Sequence, residues 1–120
     1  MKLVQVAQRA VDLDRAAAFY TELIGSPPTG RFDPPGLVFF DLDGVRLLLE
    51  TGAPSSLLYL KVTDVHAVIE RLRASGTVIV GEPHVIFTHI DDSLGPAGAE
   101  EWQAFVTDSE GNTVGLVELR

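Results

Sequence analysis

Apolar residues recur along the chain with two different spacings, and each change of spacing marks a new element. Helical spacing appears twice. In the first stretch Asp12 stands ahead of Leu13, Ala16, Ala17, Tyr20, Leu23 and Ile24, and Gly25 closes it. In the second, Asp64 stands ahead of Val65, Val68, Ile69 and Leu72, and Gly76 closes it. A short acidic side chain before the stripe offers an acceptor to the free N–H groups of a first turn, and a glycine after it tolerates the left-handed conformation that ends a helix. Each stretch therefore predicts one amphipathic helix. Strand-like runs surround them: Leu3 to Ala10, Leu37 to Phe40, Arg46 to Glu50, Leu57 to Val62, Pro83 to His89, Trp102 to Thr107 and Thr113 to Leu119,.

The order β-α-β-β-β is thus written twice. Asp12 and Asp64 lie 52 positions apart, whereas Asp41-Leu42-Asp43-Gly44 and Asp108-Ser109-Glu110-Gly111 lie 67 apart, so the second copy carries 15 additional residues. Gly81 to Glu101 has the loop composition to hold them. Asp43-Gly44 predicts a tight hairpin. No linker interrupts the chain, and the expectation is a single α+β domain over residues 1–120, with module one at about 1–52 and module two at about 55–120. Alternation along the strands sorts side chains into a set beneath the helices and a set facing away. Val4, Val6, Leu47, Leu49, Leu58, Leu60, Val62, Val114 and Leu116 are expected in the core. The opposite set is Leu3, Gln5, Ala7 and Arg9; Arg46, Leu48 and Glu50; Leu57, Tyr59 and Lys61; Thr113, Gly115 and Val117.

Two such modules, the phrase from Asp12 to Tyr20, and Asp108-Ser109-Glu110-Gly111-Asn112 ahead of the last strand resemble the vicinal oxygen chelate superfamily of glyoxalases, bleomycin-resistance proteins and extradiol dioxygenases. Gly81-Glu82-Pro83-His84 with Trp102-Gln103-Ala104-Phe105 resembles an uncharacterised glyoxalase-like subset of it. The resemblance implies two βαβββ modules whose sheets curl into a cup with helices on the outer face, and a divalent metal on the concave face. Its ligand positions correspond to Gln5, Leu48, Leu57 and Gly115 here. Only Gln5 offers a donor, with Glu50 the best substitute on the same face, and an ion of this kind needs three or four. Neither a metal nor another cofactor is expected. The resemblance also implies a homodimer.

Composition narrows the chemistry further. Seventeen acidic residues against nine Lys and Arg leave a formal charge of −8, which repels polyphosphate and argues against a nucleic-acid partner,. Cysteine is absent, so there are no disulfides and no thiolate metal sites,. Apolar runs are only strand-long and the start breaks early with polar residues, so no membrane partner and a cytoplasmic location are expected. Nucleotide-binding glycine loops, nucleophile elbows and His-Glu-x-x-His are missing.

The candidate ligand-binding residues are Gln5, Arg9, Arg46, Glu50, Tyr59, Lys61, His84, His89 and Trp102. Arg9, Arg46 and Lys61 share the face away from the helices and would favour a carboxylate or phosphate, unless they pair with Glu50 and its neighbours. Tyr59, Phe87 and Trp102 would wall an apolar pocket or simply pack. Five residues separate His84 from His89, which sends them to opposite sides of a regular strand; a bulge would be needed to bring both to one site. His66 is expected on the solvated face of the second helix with Glu70 and Arg73. The reading is a protein that binds a small apolar or weakly anionic molecule without the usual metal. The alternative is a glyoxalase-like lyase, isomerase or dioxygenase using atypical ligands, and whether any reaction is catalysed stays open.

Overall fold

The structure, a computed structural model, describes residues 3–120, so the first two positions of the expected first module lie outside the described residues. The elements are β1 (Gln5–Arg9), α1 (Leu13–Ile24), β2 (Gly30–Phe32), β3 (Leu37–Leu42), β4 (Val45–Glu50), β5 (Leu58–Lys61), α2 (Val65–Ala74), β6 (Val78–Thr88), β7 (Glu100–Thr107) and β8 (Thr113–Leu119). This is the α+β arrangement of two βαβββ modules. One sheet runs β1-β4-β3-β2 and the other β5-β8-β7-β6; in each, the first pair is parallel and the rest antiparallel. The chain forms two compact units. The first extends to Ser56 and takes in Asp108–Asn112, and the second comprises Leu57–Thr107 and Thr113–Arg120.

In the first unit the Asp12 carboxylate accepts the Arg15 N–H at 3.1 Å, and Gly25 ends α1 at φ +84° with its N–H on the Thr21 carbonyl at 2.9 Å. The apolar stripe this sets up buries Ala16, Tyr20 and Leu23. They belong to the core that also encloses Val38, Phe40, Leu47 and Leu49, with the Tyr20 and Phe40 ring centroids 6.2 Å apart. Each large side chain so enclosed contributes roughly 1.5–3 kcal/mol. The Asp108–Asn112 turn is tied into this unit by polar contacts. The Tyr20 hydroxyl donates to Asp108 Oδ2 at 2.7 Å, Asn112 Nδ2 donates to the Arg9 carbonyl at 2.7 Å, and Glu110 Oε1 accepts the Asp12 N–H at 2.7 Å.

In the second unit Asp64 caps α2 by accepting the Ala67 N–H at 3.0 Å, and α2 buries Val65, Ile69 and Leu72. Leu58, Ala104, Val106, Val114 and Leu116 are buried in the same unit.

Four features depart from the sequence expectation. Leu3 and Val4 precede β1, and Val4, expected in the core, is 51% exposed. The fully buried β1 residue is Gln8, whose Oε1 accepts the Ser56 N–H at 2.9 Å while its Nε2 is buried without a hydrogen-bond partner among the described residues. β2 was not expected: Gly30-Arg31-Phe32 is a three-residue edge strand too short for any period to show. β6 begins five residues before the expected run from Pro83, because Val78-Ile79-Val80 starts it early and irregular register absorbs Gly81 and Pro83 on an outer strand,.

Candidate ligand-binding site

Residues opposite one another on a ladder share a face, so register assigns each side chain its side. In the first unit Gln5 faces Arg46 and Arg46 faces Asp41; Leu48 faces Phe39, which faces Gly30; Arg9 faces Glu50, which faces Leu37 and then Phe32. This set lies away from α1, as the alternation predicts. Arg46 Nε donates to Gln5 Oε1 at 2.9 Å. Beside them is an open pocket of about 330 Å³ lined by Thr29, Gly30, Phe32, Phe39 and Arg46. Phe32 and Phe39 meet edge to face with centroids 5.9 Å apart. Arg9 and Glu50 stand opposite each other without forming an ion pair, and the Arg9 N–H is held by Ser55 Oγ at 3.0 Å. Of the residues the sequence singles out, Arg46 lines this pocket and Gln5 is its hydrogen-bond partner, whereas the two aromatic rings were not singled out. Phe39 sits in the continuous apolar run Leu37 to Phe40, where no alternation separates the two faces, and Phe32 carried no signal because its strand is so short.

In the second unit Tyr59, Gly115 and Phe105 lie side by side across the ladder, as do Lys61, Val117, Gln103 and His84. The Tyr59 and Phe105 rings meet edge to face at 5.9 Å across Gly115. Lys61 and His84 are exposed, and His84 Nδ1 lies 2.9 Å from the Glu82 carbonyl. A register shift between Val85 and Phe87 resets the alternation, so His89 joins His84 on the Glu101–Gln103 side. His89 is only 4% exposed. Its Nε2 lies 3.0 Å from Glu101 Oε1, and its ring packs on Phe87 and beneath Gly95, where an added Cβ would fall 2.7 Å from the imidazole. It is a packed histidine of the β6–β7 connection. Trp102 requires a correction as a pocket wall: it shares parity with buried Ala104 and Val106 and lies on the α2 side. There it meets the His66 ring at 5.0 Å and carries the Arg120 guanidinium 4.7 Å above its own ring. His66, expected among solvated neighbours, is exposed but meets this tryptophan edge to face.

A sequence model of the glyoxalase/bleomycin resistance protein/dioxygenase superfamily matches residues 2–116. The chain belongs to that superfamily. Solved structures with the same fold include an antibiotic binding protein from a Streptomyces species (22% identity, TM-score 0.75, covering 100% of this chain and 97% of that one). A glyoxalase-related enzyme from Fulvimarina pelagi is 20% identical with a TM-score of 0.71, over 98% and 88% of the two chains. A glyoxalase I mutant from Zea mays is 21% identical with a TM-score of 0.72, over 97% of this chain and 44% of that one. At these identities the likeness establishes the fold. No curated protein sequence matches significantly.

The metal that superfamily membership implies finds poor support in these residues. Leu48, Leu57 and Gly115 have no donor, and Gln5 Oε1 already accepts from Arg46. At Gly115 a Cβ would stand 2.8 Å from Tyr59 Cδ1, so the space a ligating side chain needs is filled by the aromatic pair. Among the described residues Asp64, His66 and Glu118 bring ligand atoms within 4.8 Å of one another. They surround the N-terminus of α2, which favours anions. Glu118 accepts the Val65 N–H at 2.8 Å and Arg120 Nε at 2.7 Å, and Arg120 Nη2 lies 3.4 Å from His66 Nδ1. The helix end and Arg120 supply the positive charge there, and the group acts as a cap.

Proposed function

We propose that this superfamily member is a binding protein that holds a small apolar or weakly anionic molecule on the helix-free face of β1–β4, without a metal. The observation that carries the reading is the pocket at Thr29, Gly30, Phe32, Phe39 and Arg46, where two aromatic rings and a cation border a volume suited to a small organic molecule,. The description of the Streptomyces structure as an antibiotic binding protein supports binding as a use of this fold. Metal-dependent lyase, isomerase or dioxygenase chemistry would need donors that Leu48, Leu57 and Gly115 cannot provide.

Isotope-labelled full-length protein, titrated with a library of one- and two-ring compounds, tests this by NMR. Binding is expected to shift Thr29, Gly30, Phe32, Phe39 and Arg46 together, and Phe39→Ala is expected to weaken it at least ~10-fold. Shifts confined to other faces, or none, would overturn the reading. A second copy of the chain is the partner we propose for the outer strand β6 and its following loop, where Val78, Val80, Ile90 and Leu94 are 60–93% exposed,. Light scattering should return twice the chain mass, and Val80→Lys should halve it.

A further inference from the structure

We infer that the pocket beside Arg46 selects a planar aromatic monocarboxylate, with Arg46 as the receiving cation and Gln5 as the group that orients it; this rests on the binding reading above. Among the described residues Arg46 differs from four of the chain's other arginines and shares with Arg9 the lack of an ion pair, but of the two it is Arg46 that borders the aromatic pocket. Arg15, Arg31, Arg73 and Arg120 each form an ion pair, with Glu110, Asp14, Glu82 and Glu118 respectively. Arg46 is instead held by the neutral amide of Gln5, and among the described residues no carboxylate pairs with it. Asp41, directly across the ladder, directs Oδ1 to the Gly44 N–H at 3.0 Å within its own hairpin turn. The guanidinium is thus oriented without a direct ion pair, in a protein of net charge −8. Because Nε is engaged by Gln5, the two Nη groups remain as the forked donor pair that fits a carboxylate.

The walls narrow the class further. Phe32 and Phe39, already edge to face, offer a flat third ring the same kind of contact,. Gly30 keeps the floor open, since a Cβ there would come within 3.3 Å of Phe32 Cε2. A volume of about 330 Å³ suits one or two fused rings and is at the small end for ligand sites,. Asp41 and Glu50 on the same face oppose a second negative charge, which favours a carboxylate over a phosphate dianion,.

The test compares 2-naphthoate, its neutral isostere 2-naphthamide and the non-planar cyclohexanecarboxylate by calorimetry and NMR on the full chain. Naphthoate should bind about tenfold more tightly than naphthamide, and the gap should narrow as salt is raised. Cyclohexanecarboxylate should be the weaker acid ligand. Arg46→Gln should abolish the preference for the acid while naphthamide still binds, which also reports an intact pocket. Arg46→Lys should keep only part of the preference, and Gln5→Ala should weaken naphthoate alone. Naphthoate and naphthamide binding alike, cyclohexanecarboxylate matching naphthoate, or an Arg46→Gln variant with unchanged naphthoate affinity would overturn the inference and leave the binding reading standing. Failure of all three probes to reach this face would overturn both.

Discussion

The Glu110 side chain is 1% exposed. Burial pushes its carboxyl group up, but the Arg15 guanidinium, the Asp12 N–H and the Ser109 hydroxyl outweigh that and hold it at about 2. A carboxyl depressed in the folded state adds stability that is fully present above the ordinary carboxylate value and is lost as pH falls through the range from about 4.5 toward 2,. Urea denaturation across pH 2–7 should show this loss, of up to about 3 kcal/mol, and Glu110→Gln should both lower stability near neutrality and flatten the acid limb. Burial, followed by the hydrogen bond to Asp108, drives the Tyr20 hydroxyl far above its ordinary value, so it stays protonated as a donor. Tyr20→Phe leaves Asp108 short of one buried donor and should cost about 1–3 kcal/mol in the same measurement. Gly115 acts through space: Gly115→Ala pushes a methyl group into Tyr59 and should cost about 1–3 kcal/mol, read from the thermal midpoint,.

At the level of elements, the two helices were the most legible parts of the chain. Asp12 and Asp64 each precede an apolar stripe at helical spacing, and each accepts the N–H three residues on, so local chemistry alone placed both starts,. Replacing Asp64 by Ala should cost about 1 kcal/mol, checked by chemical denaturation. The strands were legible where they alternate, and the β4 set Arg46, Leu48 and Glu50 was assigned its face correctly because Leu47 and Leu49 mark the other one. β6 departs from regular alternation. Its bulges break the period of two, which is the condition the five-residue spacing of His84 and His89 set for bringing both to one side. β2, with Phe32, is three residues long and holds too little pattern for any period to show.

Across the whole molecule the chain path matters more than any single contact. β7 and β8 belong to the second unit, but the turn between them, Asp108–Asn112, belongs to the first. Unfolding the first unit therefore strips the β7–β8 turn of its partners, and a single denaturation transition is expected, with tryptophan fluorescence from Trp102 and far-ultraviolet circular dichroism coinciding. Separate midpoints for the two signals would contradict that coupling. Among the described residues no helix is long and apolar enough to cross a membrane. Zinc, nickel or manganese added to the full chain should leave its thermal midpoint within about 1 °C, because a metal that binds only the folded state raises it by mass action.

What could be read without coordinates was whatever rests on neighbours in the chain: helix caps, hairpin turns, the twice-written module order, and the side of a regular strand on which a residue falls. It also showed that three of the superfamily's ligand positions lack donors, since leucine and glycine have none in any fold. Contacts between distant segments required the tertiary structure. Gln5 and Arg46 are 41 positions apart and become partners only because β1 pairs with β4 in parallel; Trp102 turns toward α2 because its strand buries Ala104 and Val106 on that side. Pairing register and packing are collective properties of the folded chain, and no local pattern encodes which cation is left without an ion pair beside which aromatic ring.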